Sequence, residues 1–215
     1  MNKIIDFQKE NGLIADGIIG KNTVKKFKEK YGLNNIEVAM FLGQLHHETG
    51  GFTKDTESLN YSPKGLINTF SYYRKNKLEA YVDGRTLLSK ANQEAIANKV
   101  YWDGNRSTGY QLGNRYKDDG FKYIGRGAIQ LTGFSNYLRF SKWLKDTMIL
   151  LKPELVATKY YWESALFFFE ENKIWSLCNG ISTTQINKVT AKINKSTDSY
   201  QNRVELVRKY YELTK

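Results

Sequence analysis

Two carboxylates stand nine residues apart, where an apolar helical pattern gives way to a polar segment. Glu48 ends the run His46-His47-Glu48 and is followed closely by a glycine pair, whereas Glu57 lies in a polar stretch without periodicity. Two carboxyl groups in contrasting surroundings are what acid–base cleavage of a glycosidic bond requires, because one donates a proton and the other activates water.

Glu48 is the candidate for the proton donor. In the segment 36–48 the apolar residues Val38, Phe41, Leu42 and Leu45 recur at the spacing of one helix face. Glu48 follows Leu45 by three positions, so its side chain is predicted to project close to this buried face. Partial burial disfavours the charged form of a carboxyl group and suits it to donate a proton. The alternative is a solvated glutamate at a helix end.

Glu57 is the candidate for the base. It lies within the polar stretch 53–60, where we expect a carboxylate to stay solvated and ionised, as a base must be. Asp55 lies in the same stretch and competes for this role. The residues alone leave both assignments open.

Residues 1–33 are predicted to form a small helical unit. Ile4, Ile5 and Phe7 begin a helix that stops at Gly12, and Asn22 or Thr23 is expected to cap a second helix that ends at Gly32. The run Phe7-Gln8, Gly12-Leu13, Asp16-Gly17, Gly20 and Thr23 resembles the repeat of small helical peptidoglycan-binding domains. Such a segment either binds the wall or only packs on the main domain, and both alternatives stay open.

Residues 34–215 are predicted to form the main domain, which starts at the helix signal Asn34-Asn35. Further helices are expected over 61–100, with a start at Ser62-Pro63, a break near Asp83-Gly84 and a new helix from Asn92. The Gly-, Asn- and Asp-rich segment 102–122 indicates an extended loop. An aromatic helix over 157–171 and two C-terminal helical stripes follow, the stripes formed by Ile186, Val189 and Ile193 and by Val204, Val207 and Tyr211. The chain is therefore predicted to be mainly α, with few strands.

A formal net charge of +11 in 215 residues predicts a polyanionic partner. Nucleic acid, an anionic membrane surface and an acidic cell-wall polymer all fit this charge. The alternative is a solvated lysine-rich surface without a specific partner. The basic residues are spread along the chain and form no compact basic-aromatic motif, which argues against nucleic acid. The triplet Gly125-Arg126-Gly127 lacks the context of a phosphate-binding loop. A monomer is expected.

Cysteine and histidine content indicates neither a disulfide nor a metal site. Cys178 is the single cysteine and is expected to be a core residue. His46 and His47 are the two histidines, and on a helix their side chains diverge. No cofactor is expected. The longest apolar runs are too short for a bilayer span and no signal-peptide pattern opens the chain, so synthesis in the cytoplasm is expected.

Five motifs occur along the chain in an order that resembles the family 19 glycoside hydrolases, the chitinase-like group that includes many phage endolysins. The resemblance runs from about Asn34 to Arg203. It is carried by Phe41-Leu42-Gly43-Gln44 with the His47–Phe52 run, Ala97-Asn98-Lys99-Val100-Tyr101, the segment Asp119–Gly127, Gln130-Leu131-Thr132-Gly133 and Ile193-Asn194. It implies a lysozyme- and chitinase-like helical fold.

The resemblance also implies roles for individual residues. Glu48 matches the general acid, Glu57 the general base of the short-loop, endolysin-like members, and Thr132 the residue that helps to hold the attacking water. The positions that match substrate-binding residues are His47, Tyr123, Gln130, Asn136, Asn194 and Arg203.

The family inverts the anomeric centre, so we expect Glu48 and Glu57 to face each other across a groove at about 6.5–9.5 Å or somewhat more. The expected function is that of an endolysin-type muramidase, which cleaves peptidoglycan glycan strands after the inner membrane is permeabilised. Its basic surface is expected to meet anionic outer-membrane or wall polymers. The alternatives are a chitinase, a lytic transglycosylase and a non-catalytic wall-binding protein.

Overall fold

The protein is mainly helical, as the sequence predicts. The structure is a computed structural model and describes residues 2–215. Across this range no residue belongs to a β-strand, and isolated β-bridges join Arg126 to Thr56 and to Leu131. The helices are α1 (Lys3–Glu10), α2 (Lys21–Tyr31), α3 (Asn35–Glu48), α4 (Pro63–Thr69), α5 (Ser71–Lys75), α6 (Lys77–Asp83), α7 (Gln93–Tyr101), α8 (Asp119–Lys122), α9 (Phe134–Leu144), α10 (Met148–Leu151), α11 (Leu155–Thr158), α12 (Tyr161–Glu171), α13 (Thr183–Ile193) and α14 (Tyr200–Glu212).

The chain forms two compact units. The first comprises the described residues up to Asp55 together with Tyr161–Lys215, and the second is Thr56–Tyr160. Glu48 belongs to the first unit and Glu57 to the second. No helix in residues 2–215 is both long enough and apolar enough to cross a membrane.

Helix α3 is the central helix of the first unit, and it begins where the sequence predicts. The Asn34 side chain accepts hydrogen bonds from the backbone of Ile36 and Glu37, and the Glu37 carboxylate accepts one from the Asn34 backbone at 2.8 Å. This capping box satisfies amide groups that the first helical turn leaves unpaired. Every residue from Val38 to Leu45 is buried, so the helix is covered on all sides and places Glu48 at its last position.

Gly43 lets α3 approach α14 closely, and we expect Gly43→Ala to destabilise the fold. A methyl group on Gly43 would lie 2.5 Å from Val207 Cγ2 and 2.7 Å from the Val207 backbone, which cannot rotate away. The energetic cost of overpacking should exceed the gain in helix propensity from glycine to alanine. The free energy of unfolding should therefore fall by about 2 kcal/mol. Chemical denaturation measures this loss. Gly180→Ala is the control, because its nearest neighbour lies 4.0 Å away, and equal stability of both variants would contradict the prediction.

Residues 2–33 pack within the first unit through aromatic rings. Phe7 of α1 stacks on Phe27 of α2 with ring centroids 3.8 Å apart, and both rings meet Trp162 of α12 edge-on. Tyr31 donates a hydrogen bond to Glu163 at 3.1 Å, and burial raises the pKa of this carboxyl group. These contacts fit a structural role for the segment. The boundary near residue 33 and wall binding by this segment stay predictions.

The start of α2 differs from the sequence prediction. Gly20 occupies the N-cap position without a side-chain hydrogen bond, so neither Asn22 nor Thr23 caps the helix. The Thr23 hydroxyl instead accepts a hydrogen bond from the buried Gln8 amide, which also bonds to Asp16 at 2.8 Å. Thr23, which the local sequence pattern predicts as a helix cap, therefore takes part in a polar network in the interior. The predicted end at Gly32 is confirmed, with φ of 66° in the left-handed region.

The second unit contains the predicted helix starts at Ser62 and Asn92, whose side chains cap α4 and α7. The break at Gly84 is confirmed, and further breaks at Phe70 and Asn76 divide 61–83 into three short helices. A buried cluster holds these helices and α7 together; it comprises Leu59, Leu66, Tyr73, Ala80, Ile96, Ala97, Val100 and Ile124.

One helix boundary and one buried face in the C-terminal part of the chain also differ from the sequence prediction. The aromatic helix begins at Tyr161, because residues 155–158 form a separate turn whose Leu155 carbonyl accepts from both Lys159 and Tyr160. On α14 the buried face includes Tyr210 and not Tyr211.

Candidate functional site

Glu48 is held by a buried arginine. The Arg203 guanidinium donates a hydrogen bond to Glu48 Oε1 at 2.6 Å; the Arg203 side chain is 1% exposed and that of Glu48 is 25% exposed. The neighbour of this carboxylate is therefore a cation, where the sequence predicts an apolar face. An arginine–carboxylate hydrogen bond is directional and strong, so it fixes the orientation of the acid.

Arg203 is fixed in turn by polar partners within the same unit. Its Nη1 donates to Gln44 Oε1 at 2.9 Å and its Nε to the Ser199 hydroxyl at 3.0 Å. Gln44 lies one turn before Glu48 on α3 and donates to the Thr190 hydroxyl at 2.9 Å. The guanidinium thus approaches Glu48 from the buried side. Substrate binding by Arg203 stays a prediction.

The two histidines before Glu48 point to different residues of α14. His47 Nδ1 lies 2.8 Å from Asn202 Oδ1, and His46 Nδ1 lies 2.6 Å from the Tyr210 hydroxyl. Burial, Lys209 and His47 together lower the pKa of His46, which favours the neutral ring. Neither histidine belongs to a cluster of three or more potential metal ligands among residues 2–215. Substrate contact by His47 stays a prediction.

Glu57 is positioned by two donors of the second unit. The Tyr101 hydroxyl, at the end of α7, donates to Glu57 Oε2 at 2.7 Å, and the Gly125 amide donates to Oε1 at 2.6 Å. The Glu57 amide completes the arrangement by donating to the Gly125 carbonyl at 2.9 Å. Burial, and then the charge of Glu57, raise the pKa of the Tyr101 phenol, so Tyr101 stays protonated and donates.

Thr132 lies beside the Glu57 carboxylate. A methyl group on Gly125 would meet Glu57 Oε1 at 2.9 Å and Thr132 Oγ1 at 3.0 Å, so both oxygens face the same point. The Thr132 hydroxyl donates its proton to the Gln130 carbonyl at 2.8 Å, which leaves the oxygen free to accept. The holding of the attacking water by Thr132 stays a prediction.

We expect Gly125→Ala to lower activity much more than stability. The added methyl group would displace Glu57 or Thr132, and a misplaced catalytic group typically costs about 10²-fold in rate. Release of new reducing ends from the substrate measures the rate, and thermal unfolding measures the stability. Gly180→Ala provides the control. Full activity of Gly125→Ala would show that this close approach has no catalytic role.

The other predicted substrate-binding residues have different surroundings. Gln130 has φ of 54°, and its amide oxygen is buried without a hydrogen-bond partner. Asn136 donates to the carbonyl of Thr132 at 2.7 Å, so it is bonded to the residue that lies beside Glu57. Tyr123 is only 3% exposed and donates to the Leu150 carbonyl, while Asn194 is exposed at the end of α13. Their contacts with substrate stay predictions.

Asp55, the competitor of Glu57, has a different partner. Its carboxylate pairs with the buried Lys3 ammonium at 3.0 Å in the first unit. Glu57 instead lies among neutral donors and next to a free hydroxyl oxygen, which is the better environment for a base that must accept a proton. The separation between Glu48 and Glu57 stays a prediction.

Sequence reasoning missed Tyr101, Gly125 and Gln44 as positioning residues. Each belongs to a motif of the family resemblance, but no local pattern connects Tyr101 or Gly125 with Glu57. The glycine in Gly125-Arg126-Gly127 was the available signal, since a glycine is required where a side chain approaches the backbone this closely.

Comparison with known proteins identifies a relative whose family is named. No protein-family model matches the chain. The chain is similar to a protein of Haemophilus influenzae named "Glycosyl hydrolase family 19 domain-containing protein". The two are 37% identical over 185 residues, which cover 84% of this chain and 82% of that protein.

Proposed function

We propose that this chain, which belongs to glycosyl hydrolase family 19, is a muramidase that hydrolyses the β-1,4 bonds of bacterial peptidoglycan. Its mainly helical fold is the chitinase- and lysozyme-like fold of that family. Membership makes the chain a glycoside hydrolase. The choice of peptidoglycan, the inverting mechanism and the residue roles below are our proposal.

The surroundings of Glu57 carry the proposal. The carboxylate is oriented by Tyr101 and Gly125, and the Thr132 oxygen lies beside it with its own proton already donated to a carbonyl. A water molecule that donates to both oxygens is deprotonated by Glu57 as it attacks the sugar. This attack displaces the leaving group in a single step and inverts the anomeric carbon.

Glu48 serves as the general acid in this proposal. It protonates the glycosidic oxygen as the bond breaks, and Arg203 holds the carboxyl group in position throughout the cycle. Because the Arg203 side chain is 1% exposed and its partner Gln44 is buried, the orientation of the acid depends little on solvent. After product release, Glu57 returns the proton it gained to solvent and Glu48 regains one.

Two observations favour peptidoglycan over chitin. The net charge of +11 suits a polymer whose peptide stems and associated wall polymers carry carboxylates and phosphates, whereas chitin is neutral. The sequence of residues 1–33 also resembles part of a small helical peptidoglycan-binding domain. We propose that the enzyme acts on glycan strands as a monomer and that its basic surface contacts anionic wall or outer-membrane polymers.

We also propose an endolysin role, which the match of Glu48 and Glu57 to endolysin-like members supports. In this role the enzyme is made in the cytoplasm of a phage-infected bacterium and reaches the wall when the inner membrane is permeabilised. Expression in a bacterium should then cause lysis only after a permeabilising agent is added. Lysis that needs no permeabilisation would contradict this location.

Analysis of reaction products tests the muramidase proposal. Purified peptidoglycan is incubated with the enzyme, and the released ends are identified by mass spectrometry and NMR. We expect new reducing muramic-acid ends that form first as the α-anomer. Reducing glucosamine ends would contradict a muramidase, anhydro-muramic ends would indicate a transglycosylase, and cleavage of chitin oligomers alone would indicate a chitinase.

A further inference from the structure

The second unit exposes large apolar side chains in one short segment. Of the twelve large hydrophobic residues exposed in residues 2–215, five lie within residues 78–88. Leu87 and Leu88 are 105% and 99% exposed, and the others are Leu78, Tyr81 and Val82. Clustered exposed apolar side chains mark interaction sites, whereas isolated ones need no explanation.

Helix α6 presents its apolar residues to solvent. Leu78, Tyr81 and Val82 are spaced as i, i+3 and i+4 and therefore share one face of the helix. Ala80 and Asp83 occupy the opposite face and are buried. The helix thus packs on its unit through a small residue and an acid, and leaves its larger apolar side chains uncovered.

The turn after α6 holds two leucines at its tip. Thr86 donates its amide to the Ser89 carbonyl at 2.9 Å, and its hydroxyl oxygen accepts from the amides of Leu88 and Ser89. The segment then returns to the end of α6, where Asn92 donates to the Asp83 carbonyl at 2.8 Å. Leu87 and Leu88 are therefore held outward by a hydrogen-bonded turn. This order lowers the entropy cost of binding through these two side chains.

The charge around this segment is positive. Five exposed cations lie within this segment or just before or after it in the sequence: Arg74, Lys75, Lys77, Arg85 and Lys90. Glu79 and Asp83 are the only acids between Ser71 and Gln93, and both pair with Lys99, at 2.7 and 2.5 Å. Cations therefore outnumber acids by five to two between Ser71 and Gln93.

We propose that residues 77–90, here called the lipid-binding segment, bind the surface of an anionic phospholipid bilayer. The leucine tip and the outer face of α6 enter the boundary between headgroups and acyl chains, while Lys77, Arg85 and Lys90 contact the phosphates. A protruding two-residue tip suits a deformable bilayer better than a protein, whose stable interfaces bury about 1,200–2,000 Å². This activity is independent of glycan hydrolysis.

Vesicle co-sedimentation of the full chain tests the proposal. We expect binding to vesicles of phosphatidylethanolamine with phosphatidylglycerol, and none to phosphatidylcholine vesicles. Leu87→Ser/Leu88→Ser should weaken binding about tenfold or more at every salt concentration, because the apolar contribution is not screened. Lys77→Gln/Arg85→Gln/Lys90→Gln should weaken it about a hundredfold at low salt and much less at high salt.

Matched variants outside the segment provide the controls. Ile14→Ser/Leu151→Ser removes two exposed apolar side chains, and Lys25→Gln/Lys188→Gln/Lys192→Gln removes three exposed cations. Both should bind as the wild type does, and circular dichroism confirms that every variant is folded. Equal losses in segment and control variants would overturn the proposal. So would self-association that the leucine substitutions abolish without any vesicle binding by the wild type.

Discussion

Glu48→Gln is expected to lower the rate of peptidoglycan hydrolysis by about 10³-fold or more, because an amide cannot protonate the leaving oxygen. The substitution keeps the shape of the side chain and leaves an oxygen that can accept from Arg203. Exchange of a charged for a neutral acceptor should lower the free energy of unfolding by only about 1–2 kcal/mol. Activity and stability are thus affected to very different degrees.

Release of reducing ends measures the first effect, and chemical denaturation measures the second. Glu205→Gln is the matched control, since Glu205 is an exposed glutamate of α14, which also carries Arg203. It should keep full activity. A Glu48→Gln variant that is folded and hydrolyses peptidoglycan normally would remove Glu48 from the mechanism, and would leave the family assignment untouched.

Local sequence patterns predicted the helical class and the elements whose signals lie within one turn. The starts at Asn34, Ser62 and Asn92 depend on a side chain that bonds to backbone amides two or three residues later. The cap predicted at Asn22 or Thr23 failed for a non-local reason, because the buried Gln8 takes up the Thr23 hydroxyl. A side chain with a partner in the interior is not available to cap a helix.

The positions of Glu48 and Glu57 were predictable, but the groups that hold them were not. Arg203 is 155 residues from Glu48, and Tyr101 and Gly125 are 44 and 68 residues from Glu57. Helical periodicity compares residues only a few positions apart, so it predicted an apolar neighbour for Glu48 and could not detect a cation arriving from α14. Tertiary packing decides such contacts.

Glu57→Gln is expected to lower the hydrolysis rate by about 10²–10³-fold, because an amide cannot accept the proton of the attacking water. The amide group can keep both hydrogen bonds: its oxygen accepts from the Gly125 amide, and its nitrogen donates to the Tyr101 hydroxyl, which can rotate to accept. The loss should therefore come from chemistry and not from misfolding. Asp55→Asn is the competing test, and it should retain most of the activity.

Azide distinguishes a base from a residue that only supports the fold. An azide ion needs no deprotonation, so it should restore cleavage by Glu57→Ala and yield an α-glycosyl azide, the product of inversion. It should not restore Glu48→Gln, which lacks the proton donor for the leaving group. If azide does not restore cleavage by a folded Glu57→Ala variant, Glu57 is not the base and acts instead by orienting Thr132 or the loop 125–132. If Asp55→Asn is the variant that azide rescues, the base is Asp55, and the neutral surroundings of Glu57 serve another step.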